Sequence, residues 1–372
     1  MTGMISILLK FLILAGMLLG LPLLGIVLAG YPLDIYFEFP PNTRYISHAP
    51  FSWIAFVSYT LFIVAAVVPL IIRRFKGFCS GYKNSLKKYS FPWRGWVGIF
   101  CAIAVWIMAW TRFSWFTSFQ PHTFFPLWFS FILVVNALCY WKSGYCMMIN
   151  RPGYFVLLFP ISSIFWWFFE YLNRFVQNWH YLGVEFAPWE YFLYATLSFS
   201  TVLPAVLGVS DLIYSSSWLE AGFKNFLKIK QTNSKSVAIS GLVVSGIGLL
   251  GIGVWPDYLF PLLWISPFII FISIMTLLGE KHALSDISGG DWRVVISSAL
   301  AALICGYFWE MWNYFSLAKW NYSVPLVHRF KIFEMPILGY AGYLPFGLEC
   351  AVIGGLVSES CMKSNKKLSS KL

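Results

Sequence analysis

Stretches of about twenty apolar residues recur along this chain between short polar interruptions, and no other feature limits its fold as much. A helix needs roughly 20 such residues to cross a hydrocarbon core about 30 Å thick. Of the 372 residues 59% are hydrophobic and only 11% are charged, so a water-soluble fold has no means of hiding the apolar surface. The sequence therefore predicts an all-α, polytopic integral membrane protein. About ten spans are expected, at roughly 5–30, 50–72, 94–111, 124–141, 153–172, 190–209, 237–255, 258–278, 294–312 and 335–357. In the first, Lys10 precedes an apolar run that ends in Ala29-Gly30, but the stretch is longer than the roughly 7–15 apolar residues of a secretory core, so it is expected to remain as a span.

The net charge of +11 would suit a nucleic-acid partner, but its placement points to membrane topology instead. Arg73, Arg74, Lys76, Lys83, Lys87, Lys88 and Arg94 share one loop with no acid, and Lys363, Lys366, Lys367 and Lys371 fill the tail. Both segments read as cytoplasmic, which puts both termini inside and suits a plasma membrane, or the inner membrane of a bacterium. The loop 313–333, with Lys319, Arg329 and Lys331, falls on the outer side and dissents. Between Ser215 and Lys230, Leu219, Phe223, Phe226 and Leu227 share a helical face, a pattern expected of a helix lying in the cytoplasmic interface.

The seven cysteines form no CxxC pair and the five histidines lie far apart, so the sequence calls for no metal and no other cofactor.

An internal repeat organises most of the chain. Residues 165–181 read FWWFFEYLNRFVQNWHY and residues 306–322 read GYFWEMWNYFSLAKWNY. In each, an aromatic run leads into Glu-x-x-Asn, as Glu170 with Asn173 and Glu310 with Asn313. A Trp-x-Tyr follows, as Trp179 with Tyr181 and Trp320 with Tyr322. Each copy continues with an aromatic-Glu pair, Trp189-Glu190 or Phe333-Glu334, and a Leu-Pro, Leu203-Pro204 or Leu344-Pro345. Upstream, Phe125-Pro126-Leu127 matches Phe260-Pro261-Leu262. The expected organisation is two extra helices and a basic loop (1–92), a first four-helix unit (93–210), an amphipathic connector (211–235), a second unit (236–358) and a basic tail (359–372). An even number of spans per unit gives both copies the same orientation, as in parallel-repeat transporters.

Counting from the cytoplasmic ends, Glu170 lies 16 residues after Tyr154 and Glu310 lies 16 after Val294, or roughly 24 Å deep at about 1.5 Å per residue. Both acids then sit just inside the outer edge, where an ionisable side chain is costly and requires a partner. Asn173 and Asn313, three residues on, are each placed to donate to the neighbouring glutamate. Glu190 and Glu334 start the next spans at the same level. Four carboxylates around one outward cavity are thus the expected catalytic set, with Asn173, Asn313, Trp179, Tyr181, Trp320 and Tyr322 as substrate-binding neighbours. Crowding in an apolar pocket would suit such acids to proton donation. Each element also has a plain structural reading. Glu190 and Glu334 suit a helix N-terminus, Glu170 and Glu310 suit inter-helix bonding, and the Trp-x-Tyr pairs suit an interfacial aromatic belt. Glu349 has no counterpart in the first unit.

The stretch from Trp179-x-Tyr181 to Pro188-Trp189-Glu190-Tyr191-Phe192 resembles the W-x-Y and P-x-E followed by aromatics of small membrane lycopene cyclases. It covers about fifteen residues, and the second copy has no proline before Glu334. The likeness implies an isoprenoid substrate. Three functions stay open: an enzyme acting on a lipid or isoprenoid, with glutamates as general acid or base; a proton- or cation-coupled transporter or flippase; and a structural or assembly protein. The partners expected are membrane lipid and a hydrophobic small molecule, with no nucleic acid, and the sequence leaves the oligomeric state open.

Overall fold

A computed structural model describes residues 12–41, 43–78 and 89–369. The start of the expected first span, Cys79, the loop lysines Lys83, Lys87 and Lys88, and Lys371 lie outside the described residues. Among the described residues the regular structure is helical apart from two short two-stranded ladders. The main helices are α1 (Leu12–Leu28), α2 (Trp53–Phe78), α3 (Trp93–Trp110), α4 (Phe124–Ser143), α5 (Pro152–Val176), α6 (Pro188–Phe199), α7 (Val202–Tyr214), α8 (Ser217–Phe223), α9 (Lys235–Gly251), α10 (Leu262–Leu277), α11 (Arg293–Tyr314) and α12 (Tyr343–Ser369).

Among the described residues seven segments are long and apolar enough to cross a membrane: 53–75, 93–110, 124–143, 152–176, 188–214, 293–314 and 337–361. This is the pattern of a multi-pass membrane protein. Three further apolar helices, α1, α9 and α10, have 17 residues or fewer. At about 1.5 Å per residue α9 and α10 reach roughly 25 Å at most, short of the full core, and α1 is described only from Leu12.

Local sequence sets the boundaries. Pro152 and Pro188 open α5 and α6 at positions where a missing N–H costs nothing. Gly144 and Gln177 close α4 and α5 in the left-handed conformation. Ser200 and Thr201 interrupt the expected span 190–209, and Pro204 follows in the first turn of α7. The segment 335–357, expected as one span, begins instead with the second ladder, β3 (Lys331–Ile332) against β4 (Met335–Pro336), and a 3-10 turn over Ile337–Gly342 before α12.

In the bundle α3 packs on α4, α9 packs on α1 and α10, and α11 packs on α12, while α7 bridges α4, α5 and α11. Close approach of α11 and α12 requires Gly347: a Cβ there would lie 2.0 Å from the Ser298 carbonyl oxygen. Large aromatics fill the centre, with Phe165 stacked on Phe346 at 5.8 Å and Phe169 on Trp264 at 5.1 Å.

The expected interfacial helix 215–230 is shorter than its pattern suggested. Only α8 is helical; Leu219 and Phe223 are buried with Ile296, and Leu227 is exposed. Its apolar face is covered by protein, including Leu70 of α2, instead of lying against lipid.

The other unforeseen feature is the first ladder, β1 (Trp179–Leu182) against β2 (Lys319–Tyr322), antiparallel. Trp179 faces Tyr322 and Tyr181 faces Trp320, so the two Trp-x-Tyr motifs, distant in sequence, cross-pair at one end of the bundle.

Candidate functional site

The ladder is held in place by the two asparagines. Asn173 Nδ2 donates to the Trp179 carbonyl at 2.9 Å, and its Oδ1 accepts from the Asn178 N–H at 2.8 Å. Asn313 Nδ2 donates to the Trp320 carbonyl at 2.8 Å, and its Oδ1 accepts from the Trp320 N–H at 2.9 Å. The expectation that these amides donate to the glutamates is therefore corrected. The chain reverses within a few residues of each helix end, and the amide is used up in fixing that reversal.

So fixed, the Trp-x-Tyr side chains are what meet the acids. Glu170 Oε1 accepts from Trp166 Nε1 at 3.0 Å, Trp179 Nε1 at 3.1 Å and the Tyr181 hydroxyl at 2.5 Å. Glu310 Oε1 accepts from the Tyr322 hydroxyl at 2.6 Å and the Tyr343 hydroxyl at 2.8 Å. Trp320 Nε1 donates to the Tyr322 oxygen at 2.9 Å. Both carboxyl groups are fully buried, and the Oε2 atom of each has no partner. Among the described residues no basic side chain forms an ion pair with either, although the buried Arg174, one turn after Glu170, acts on that carboxyl electrostatically. Burial, reinforced by the adjacent carboxyl, pushes the Tyr181 and Tyr322 phenols well above the usual tyrosine range, so both remain protonated donors.

These tyrosines, with Trp166, Trp179, Trp320 and Tyr343, form part of the wall of an apolar cavity of about 710 Å³. That volume lies within the roughly 300–1,000 Å³ of small-molecule sites. The glutamates themselves do not line it, so each carboxyl sits behind a phenol that does. No family model, curated protein or solved structure matches this chain. The geometry of the site is therefore the ground for a functional reading.

Glu190 and Glu334 stand apart from the cavity wall. Glu190 is exposed, and its Oε2 accepts from the Ala187 N–H at 3.1 Å, closing the first turn of α6. Glu334 sits in the turn between β3 and β4 and pairs with Lys319 at 2.9 Å. The four-carboxylate ring expected from the sequence is thus reduced to two buried acids, because the other pair is held by local helix-end and turn contacts. Glu349 is buried, with Oε1 accepting from the Phe268 N–H at 3.1 Å and Oε2 unpartnered.

Two cage residues escaped the sequence reading. Trp166 lies one turn before Glu170 and was legible only as one aromatic among many. Tyr343 stands directly before Leu344-Pro345, but the residue directly before Leu203-Pro204 is Val202, so no likeness between the two stretches marked it. Among the described residues no three His, Cys, Asp or Glu side chains gather as metal ligands.

Proposed function

We propose that this chain is a membrane-embedded enzyme that transfers protons to or from carbon in a lipid or isoprenoid substrate. The observation that carries the reading is the arrangement of Glu170 and Glu310. Each is a buried carboxyl with no ion-pair partner among the described residues and one unpartnered oxygen, behind a tyrosine that lines an apolar, aromatic-walled cavity. Intramembrane acids without a cationic partner are rare and mark proton chemistry more often than packing. In the proposed mechanism each glutamate with its tyrosine forms a two-member relay. At one cage the neutral carboxyl protonates the phenol oxygen as the phenol protonates a carbon of the bound chain, and at the other the phenol oxygen takes a proton from the resulting cationic chain as its own proton passes to the carboxylate, so the chain leaves neutral. Aromatic faces in the wall are suited to cationic character developing on the substrate. The limited likeness to lycopene cyclases in 179–192 agrees with an isoprenoid.

The same reading includes the finer architecture: ten spans, the short helices α1, α9 and α10 included; two parallel four-helix units at 93–210 and 236–358; both termini cytoplasmic; and the acid cages toward the outer face. The basic loop and tail support the orientation. The matching Glu, Asn and Trp-x-Tyr geometry of the two units supports the duplication.

In a deletion strain complemented with Glu170→Gln plus Glu310→Gln, the cellular lipid profile is expected to match that of the deletion. A profile identical to wild-type complementation removes the enzyme reading.

A further inference from the structure

The cavity has a direction as well as a volume. Tyr59, Phe62, Ile63, Ala66 and Val67 line it from α2, at the i, i+3, i+4, i+7, i+8 spacing of one helical stripe. Trp264, Phe268 and Ile272 line it from α10 at i, i+4, i+8, and Tyr191, Ala195 and Phe199 line it from α6 with the same spacing. Each stripe runs about 12 Å along its helix axis at about 1.5 Å per residue. The space is accordingly a slot parallel to the helices, with the acid-backed tyrosines at one end.

The wall formed by α2 is unlike the others. No residue of its apolar window is buried, and Phe62, although a lining residue, is 72% exposed. The helix is fastened at its ends. At one end the Ser52 N–H donates to the Leu326 carbonyl at 2.8 Å, and Phe56 packs on Phe330 at 5.4 Å between ring centres. At the other, Arg73 donates to the carbonyls of Gly222 at 2.7 Å and Asn225 at 2.9 Å, and Arg74 lies over the Trp218 ring at 4.4 Å. Between these fastenings Pro69 removes a backbone donor from the helix.

We infer that the slot holds one extended hydrocarbon chain of a bilayer lipid, admitted sideways along the α2 seam, with its terminal portion presented to Tyr181, Tyr322 and Tyr343. This rests on the reading of the site as one for a lipid and names how that lipid sits. An elongated apolar slot selects a linear chain. An exposed lining residue at bilayer depth connects the slot with lipid instead of water. A helix with nothing buried in its apolar window, whose hydrogen bonds to other elements among the described residues lie near its ends, can stand aside at the cost of side contacts such as Tyr59 on Phe260.

The test is photolabelling in phosphatidylcholine vesicles in which one acyl chain carries a diazirine. Phe268 and Phe199 are 7% and 8% exposed, so label reaches them through the slot and not from bulk lipid. Wild type is expected to be labelled at both. Ala66→Trp fills the stripe on a helix with nothing buried, and it should cut labelling at both at least tenfold while leaving Leu61, on the opposite face, unchanged. Phe62→Ala should raise it. Absence of label at Phe268 and Phe199, or label undiminished by Ala66→Trp, overturns the inference. The enzyme reading fails separately: slot labelling together with an unchanged lipid profile in the double glutamate variant removes the chemistry and leaves the chain-binding site standing.

Discussion

The two acid cages share a backbone plan and differ in where the donors come from. In the cage around Glu170, the helix that carries the acid also supplies a donor, Trp166, four residues earlier. In the cage around Glu310 the equivalent position is Gly306, and the donor comes from another helix as Tyr343. A Cβ on Gly306 would lie 2.4 Å from the Tyr343 ring, so the glycine is what admits that ring. The position matching Tyr343, directly before Leu203-Pro204, is Val202, which supplies no donor to Glu170. The difference teaches that the site conserves a hydrogen-bonded, buried acid and not a fixed set of residues.

The sharpest way to break this comparison is at Gly306. Gly306→Trp should overpack the second cage and give little or no folded protein on size-exclusion chromatography. Adding Tyr343→Val transplants the first cage into the second and should recover a folded protein. If the double variant fares no better than the single, the room that Gly306 leaves for Tyr343 is not what distinguishes the cages. Gly306→Ala is the milder version, with a cost of ~1–3 kcal/mol.

Next in size are the cage donors. Tyr343→Phe leaves Glu310 with one donor, whereas Trp166→Phe leaves Glu170 with two. The first should lower stability by about 1–3 kcal/mol and the second by about 0.5–1.5 kcal/mol, read as thermal midpoints in detergent. Equal losses would show that the two acids are held alike. Asn173→Ala and Asn313→Ala should each cost ~1–2 kcal/mol and, unlike the donor variants, should match one another, because both amides fix the same chain reversal.

The smallest effect concerns pH. His180 of β1 faces Asn321 of β2, so only β1 has a titratable group at that pair. Burial holds the His180 imidazole below its ordinary range, so the folded state is neutral where the unfolded chain takes up a proton near pH 6.5. The linked stability is complete above about pH 6.5 and declines as the pH falls below it. His122, His282 and His328 shift the same way and add to the decline. His180→Asn should therefore make the loss of thermal midpoint between pH 7 and pH 5 shallower without abolishing it. An unchanged slope assigns the acid sensitivity to the other three.

Much of this was legible in the sequence and some was not, for physical reasons. Seven apolar segments fall where hydropathy puts them, because length and composition alone set the requirement of a span. Glu170 and Glu310 were marked by their depth, and depth is a count along a helix. The ladder was not legible: Trp179–Leu182 and Lys319–Tyr322 are four residues each, too short for a period-two pattern, and their pairing joins distant parts of the chain. Hydrogen-bond assignments failed for the same reason. Asn173 shares a helix face with Glu170, but a backbone reversal that the sequence does not announce claims its amide. Glu190 and Glu334 look alike in the repeat and end in different local roles, a helix-end acceptor and half of an ion pair.

The most direct test of the central claim is proton transfer itself. Membranes from cells lacking the gene supply unreacted lipid, and purified protein is added to them in deuterated buffer. With the wild type a lipid species is expected to change and acquire carbon-bound deuterium, and with Glu170→Gln plus Glu310→Gln no such species is expected. Lipids that stay unchanged and free of carbon-bound deuterium in the presence of folded wild-type protein would contradict it.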